Sequence, residues 1–178
     1  MRRNRLNAIA AWFAIGLWLT TGARELHGQP AGGDALAIVV HRANPVESLT
    51  VPELRRIFML ETQNWPHGRR ITVVLREKGQ PERNEAIRMI CGISEAEYER
   101  HLLLQTFRGS VTRPPRSIQS AASMLRFIFN TPGAIGYVPA GEVDDSVKVV
   151  AIDGRLPGDA DYPLQQRAHI GKVNWLPW

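Results

Sequence analysis

Apolar residues fall along this chain in two rhythms, and the rhythms predict its elements. Ala35–His41 and Ile71–Leu75 are unbroken apolar or β-branched runs, which predict strands covered on both faces. Ala134–Val138 and Val147–Ile152 predict two further strands, the first with a close backbone approach at Gly136. Between them the spacing becomes helical. Leu54, Ile57 and Phe58 share one face of a helix opened by the capping box Thr50/Glu53 and ending near Leu60. Ala86, Ile87, Ile90 and Cys91 do the same from Pro81 or Glu82 up to the stop at Gly92. A second capping box, Ser94/Glu97, opens a helix with Tyr98, Leu102 and Leu103 inward, running to about Gln105. Ile118, Ala121, Ala122, Leu125, Ile128 and Phe129 mark a fourth helix, with Ser117 as its N-cap. Strands alternating with helices predict an α/β domain with a largely parallel sheet over 35–153, followed by a loop-like extension over 154–178.

One junction stands out. The strand Ile71–Leu75 ends at Arg76, Gly79 permits a sharp turn, and Pro81 suits the first turn of a helix because its missing N–H is no loss there. Strand, turn and helix start together set N–H groups at the carboxyl edge of a sheet. That is where α/β proteins bind ligands and where helix ends favour anions.

The amino-terminal residues depart from this pattern. Arg2, Arg3 and Arg5 precede an apolar stretch over 6–21, and Thr21-Gly-Ala23 is a small-residue cleavage candidate. This predicts a signal peptide over 1–23, then a flexible glycine-rich lead-in over 24–34, and hence export. The apolar stretch is short against the ~20 residues of a spanning helix. Its removal changes the charge. The 178-residue chain carries 22 basic and 17 acidic residues, a net +5; without the three leader arginines the excess is +2, which lends a nucleic-acid partner little support. Cys91 is the only cysteine, so no internal disulfide can form, and its place on the apolar side of a helix predicts a buried structural thiol.

Two groups of arginines are candidates for chemistry. Arg76 and Arg83 flank the glycine turn and with the helix N–H groups can hold an oxyanion; alternatively Arg76 pairs with Glu77 or Glu82. Arg113, Arg116 and Ser117 form a second group before a helix start, or simply a solvated basic loop. Nothing matches a nucleophile elbow, a zinc-protease helix or a phosphate loop. The five histidines are scattered without ligand spacing, so no metal or cofactor is expected. Trp65, Trp175 and Trp178 fit an anchoring role better than ligand stacking.

Taken in order, several segments resemble the phosphate-type periplasmic solute-binding proteins. They are Asn44-Pro45, Ser48-Leu-Thr50, Glu53-Leu54, Ile57-Phe58, Trp65, Ile71–Arg76 with Gly79, Phe107-Arg-Gly109 and Pro132-Gly-Ala-Ile-Gly-Tyr-Val138. The resemblance covers about Ala37 to Val138. It implies a type II periplasmic-binding-protein fold, non-catalytic binding of phosphate or another small oxyanion, and a partner in an ABC transporter permease. It also implies a short, single-lobe version in which the other lobe and its glycine-serine phosphate loop are missing.

Where that family has Arg, two residues and then Gly-Ser-Gly-Thr, this chain keeps Arg76 and Gly79 but has Gln80, Pro81 and Glu82 in the last three places. Two hydroxyl donors and one N–H are lost and a negative charge is added. A carboxylate ~4 Å from a bound anion costs on the order of 1–4 kcal/mol. The expected ligand residues are therefore Arg76, Gly79, Gln80, Arg83 and Ser117, in a weakened site. The alternative is a periplasmic interaction or sensory module that keeps the fold without the ligand and self-associates across the edge left open.

Overall fold

The computed structural model describes residues 35–110 and 113–165. The predicted leader, the lead-in and the Trp175–Trp178 tail lie outside them. Seven strands and four helices follow in the order β1 (Leu36–His41), β2 (Ser48–Leu49), α1 (Val51–Phe58), β3 (Thr72–Arg76), α2 (Pro81–Cys91), α3 (Glu95–Phe107), β4 (Arg116–Ile118), α4 (Ala121–Phe129), β5 (Ala134–Pro139), β6 (Val147–Val149) and β7 (Ala151–Ile152).

The main sheet has the order β4-β3-β5-β1-β6. β3 is parallel to β4 and β5, and β1 is antiparallel to both β5 and β6. Four strands therefore share one direction and β1 runs against them between β5 and β6. This is the expected α/β lobe with a mostly parallel sheet. Val39 and its neighbours in β1 have no exposed surface because both faces of the sheet are covered. On one face Ile38, Val40, Val73 and Leu75 meet α1, α2 and Tyr98. On the other, Ala37, Val39 and Val74 meet Met124, Leu125 and Ile128 of α4. A Cβ at Gly136 would lie 2.9 Å from Met124 Sδ, so the close approach of α4 to β5 leaves room for a side chain there only if Met124 shifts.

Both capping boxes form. Glu53 and Glu97 accept from the backbone N–H of Thr50 and Ser94 at 2.8 and 2.9 Å. Those bonds hold both carboxyls below the usual range. Trp65 is an anchor, with its indole N–H donating to Gly133 O at 3.2 Å from a buried position. Cys91 is buried, and burial pushes its thiol up to about 12, which makes it unreactive.

Several elements differ from the sequence pattern. Ser117 caps no helix: it lies in β4, and Ser120 is the N-cap of α4, accepting from Ser123 N at 3.1 Å. The buried face of α4 is consequently Ala121, Met124, Leu125 and Ile128, while Ala122 and Phe129 turn outward. In α3 only Tyr98 is buried. Leu102 lies one turn on along the same face and is half-buried, whereas Leu103 is rotated into solvent. The stretch Val147–Ile152 divides into two strands because its partner changes. Val150 N still donates to Ile38 O of β1, but Ala151 N donates to Glu47 O beside β2. Residues after 153 also join the core: Tyr162 and Leu164 are buried, and the Tyr162 hydroxyl donates to Leu36 O at 2.9 Å.

Candidate functional site

The turn after β3 is built as its residues require. Arg76 N, at the strand end, donates to the hydroxyl of Tyr137 in β5 at 3.1 Å. Glu77 N donates to Ile118 O at 3.1 Å, which extends the bonding to β4 by one residue. Gly79 then takes φ +81°, a left-handed conformation that favours glycine. Gln80 is the N-cap of α2, but its side chain makes no capping bond. Pro81 has no N–H, and the Arg83 N–H donates to Gln80 O at 3.0 Å. The helix end therefore presents fewer free donors to an anion than such an end usually does.

Arg83 is the best-braced charged residue among those described. It is 2% exposed. Its Nε donates to Glu95 at 2.6 Å, its Nη2 to Glu99 at 2.5 Å and its Nη1 to Arg76 O at 2.8 Å. Glu99 is also paired with Lys78 at 2.6 Å. Burial would raise the Glu99 pKa, yet the hydrogen bonds from Lys78 and Arg83 and their charges hold it below the usual carboxylate range. Arg83 thus fastens α2 to α3 and holds the Arg76 carbonyl.

Arg76 stands in contrast. Among the described residues its guanidinium makes no ion pair, so neither Glu77 nor Glu82 neutralises it, and its Nη1 is buried without a hydrogen-bond partner. One Glu82 oxygen is buried in the same condition. Both charges act on the Tyr137 hydroxyl, which burial pushes up to about 12 against the opposing effect of the Arg76 N–H bond and the two arginines. The structure gathers Arg76, Gly79, Gln80 and Arg83 around one turn. Ser117 is on the neighbouring strand, paired with Leu75 and not with Arg76, and is exposed. Tyr137, Glu95 and Glu99 were not singled out in the sequence. The i, i+4 spacing of the two glutamates, one turn apart on α3, is the signal that could have found them.

A five-stranded sheet with one reversed strand, helices on both faces and a glycine turn at the carboxyl edge is the α/β architecture of the described residues. Residues 9–168 match the family described as PBP superfamily domain, and the chain belongs to that family. It is similar to an ABC-type phosphate transport receptor from Vibrio cholerae, with 27% identity and a TM-score of 0.57 over 70% of this chain and 48% of the other. It is also similar to a putative phosphate ABC transporter substrate-binding protein with bound phosphate from Clostridium perfringens, with 26% identity and a TM-score of 0.58 over 70% and 47%. PstS from Borrelia burgdorferi shares the fold with a TM-score of 0.61 at 15% identity, over 75% of this chain and 55% of that one. The chain thus spans about half the length of the solved structures it matches, and its fold is that of phosphate ABC transporter substrate-binding proteins.

Proposed function

We propose that this chain is an exported, non-catalytic lobe that binds a small oxyanion weakly at Arg76, in association with an ABC-type phosphate transporter. One observation carries the reading: Arg76 Nη1 is a buried donor without a partner at the carboxyl end of β3. An unsatisfied buried donor costs about 1–3 kcal/mol, which an incoming oxygen would recover. Gly79 and Gln80 shape the turn around that oxygen, Arg83 acts through the Arg76 carbonyl it holds, and Ser117 flanks the site. The unpartnered Glu82 oxygen is an acceptor, so the favoured anion carries an O–H. Hydrogen phosphate has one and sulfate at neutral pH does not.

Calorimetric titration tests this. Phosphate is expected to bind near the millimolar range, roughly −4 kcal/mol, with sulfate weaker and binding lost in Arg76→Ala. No heat at millimolar phosphate would sink the reading. A second reading, an interaction or sensory module in the periplasm, is favoured by the outer face of α3, where Leu103, Leu104 and Phe107 are 57%, 47% and 81% exposed. Self-association in light scattering that disappears in Phe107→Ser supports it; a monomer at all concentrations counts against it.

A further inference from the structure

α4 turns a second stripe away from the sheet. Ala122, Leu125, Arg126 and Phe129 are spaced i, i+3, i+4 and i+7, so they share one face of the helix. Leu125 is buried, while Ala122, Arg126 and Phe129 are exposed, Phe129 to 51%. The chain passes this face again between β5 and β6, where Glu142, Asp144 and Ser146 form a second wall. Between the two walls lies a groove of about 520 Å³.

The charges on the two walls are opposite and unmatched. Among the described residues Arg126 makes no ion pair, and neither do Glu142 and Asp144, although all three line the groove. Asp144 is held in place: its Oδ1 accepts from the Ser146 hydroxyl and, at 2.9 Å, from Ser146 N. Those two bonds keep its carboxyl below the usual range and leave its other oxygen without a hydrogen-bond partner among the described residues. One guanidinium shares the groove with two carboxylates, so one negative charge is left over.

We propose that this groove binds a basic α-amino acid, at a site that shares no residue with the turn at Arg76. Such a molecule carries one carboxylate and two cations, the reverse of the groove's one cation and two carboxylates. Its carboxylate takes the paired N–H groups of Arg126, the fork that a guanidinium offers to a carboxylate. Its ammonium and its side-chain cation pair with Glu142 and Asp144 on the other wall. The aliphatic stem lies on Ala122 and Leu125, as long cationic side chains do on apolar surface. The exposed Phe129 ring offers its face to the cationic head. The volume lies within the range of small-molecule sites.

The test is titration of the purified protein with arginine and with two analogues, followed by calorimetry and by amide shifts in NMR spectra. Agmatine lacks the carboxylate, and leucine lacks the second cation. Arginine is expected to bind saturably at millimolar concentration, with shifts at residues 122–130 and 142–146, and both analogues to bind more weakly. Arg126→Gln and Glu142→Gln alter exposed side chains and keep the fold, and each should weaken arginine about fivefold. The proposal falls if arginine does not bind at millimolar concentration, or if its shifts appear only at residues 76–83. It falls equally if agmatine binds as tightly as arginine, which would make the groove a simple acidic surface, if leucine does so, or if both variants bind as the parent does.

Discussion

The two ends of β3 both carry arginine, but in opposite settings. At the carboxyl end Arg83 is sealed in, with every guanidinium nitrogen bonded to Glu95, Glu99 or the Arg76 carbonyl. At the amino end Arg70, Arg113 and Arg116 are exposed, beside a cavity of about 590 Å³ whose described lining includes no carboxylate. Buried charge has to be matched within the protein because water cannot do it, and exposed charge does not. The first end therefore spends its arginine on stability, and the second leaves its arginines exposed to solvent. Arg76 lies between these cases, half-buried and incompletely matched.

The comparison makes its largest prediction at Arg83. Arg83→Met leaves Glu95 and Glu99 side by side without their shared cation. Breaking a buried pair in this way costs about 3–5 kcal/mol. The two carboxylates keep 17% and 29% of their surface in solvent, so the lower end applies. Urea denaturation should show a loss of about 3 kcal/mol; a loss below about 1 kcal/mol would mean the carboxyl end is no better braced than the surface.

Next in size is Tyr137→Phe, which removes the acceptor of the Arg76 N–H. The expected loss is about 1–2 kcal/mol, with faster exchange of the Arg76 amide. Unchanged exchange would show that the strand end does not depend on that bond.

Smaller again is the response to pH. The folded-state pKa of Glu99 lies below its ordinary value of 4.5. Its contribution is therefore present above about that pH and is lost as pH falls through the folded value. Lys78 is 68% exposed and is one of the two cations responsible, so Lys78→Gln should fold normally and show a shallower fall in stability between pH 5 and pH 3. Equal slopes in parent and variant would remove Lys78 from the account.

This difference between the ends also governs how far the sequence could be read. The strand at Ile71–Leu75, the turn at Gly79, both capping boxes and the glycine at 136 are local patterns, and each formed as expected. What the sequence hid depends on partners distant in the chain. Arg83 looks like a ligand residue until α3 brings Glu95 and Glu99 against it. β4 is only three residues long and sits behind two prolines, so Arg116 reads as the end of a loop and Ser117 as the N-cap of the next helix. Leu102-Leu103-Leu104 is apolar at every step, and periodicity cannot choose its inward face. The cavity at the amino end is invisible for the same reason: Arg70 and Arg116 are 46 positions apart in the sequence and yet line one cavity.

The smallest expected effect is the one that separates the two ends most clearly. Arg116→Gln removes a charge that makes no ion pair among the described residues, and with it only the guanidinium's contact with the Phe127 ring at 5.9 Å. Exposed substitutions of this kind stay within about 0.5 kcal/mol. Any electrostatic part of that change should be larger at low salt and fade by 0.15 M, where screening acts over about 8 Å. Urea midpoints at low and physiological salt measure both terms. A loss as large as that of Tyr137→Phe would make Arg116 a structural residue, and the contrast between a braced end and a solvent-exposed end of β3 would no longer hold.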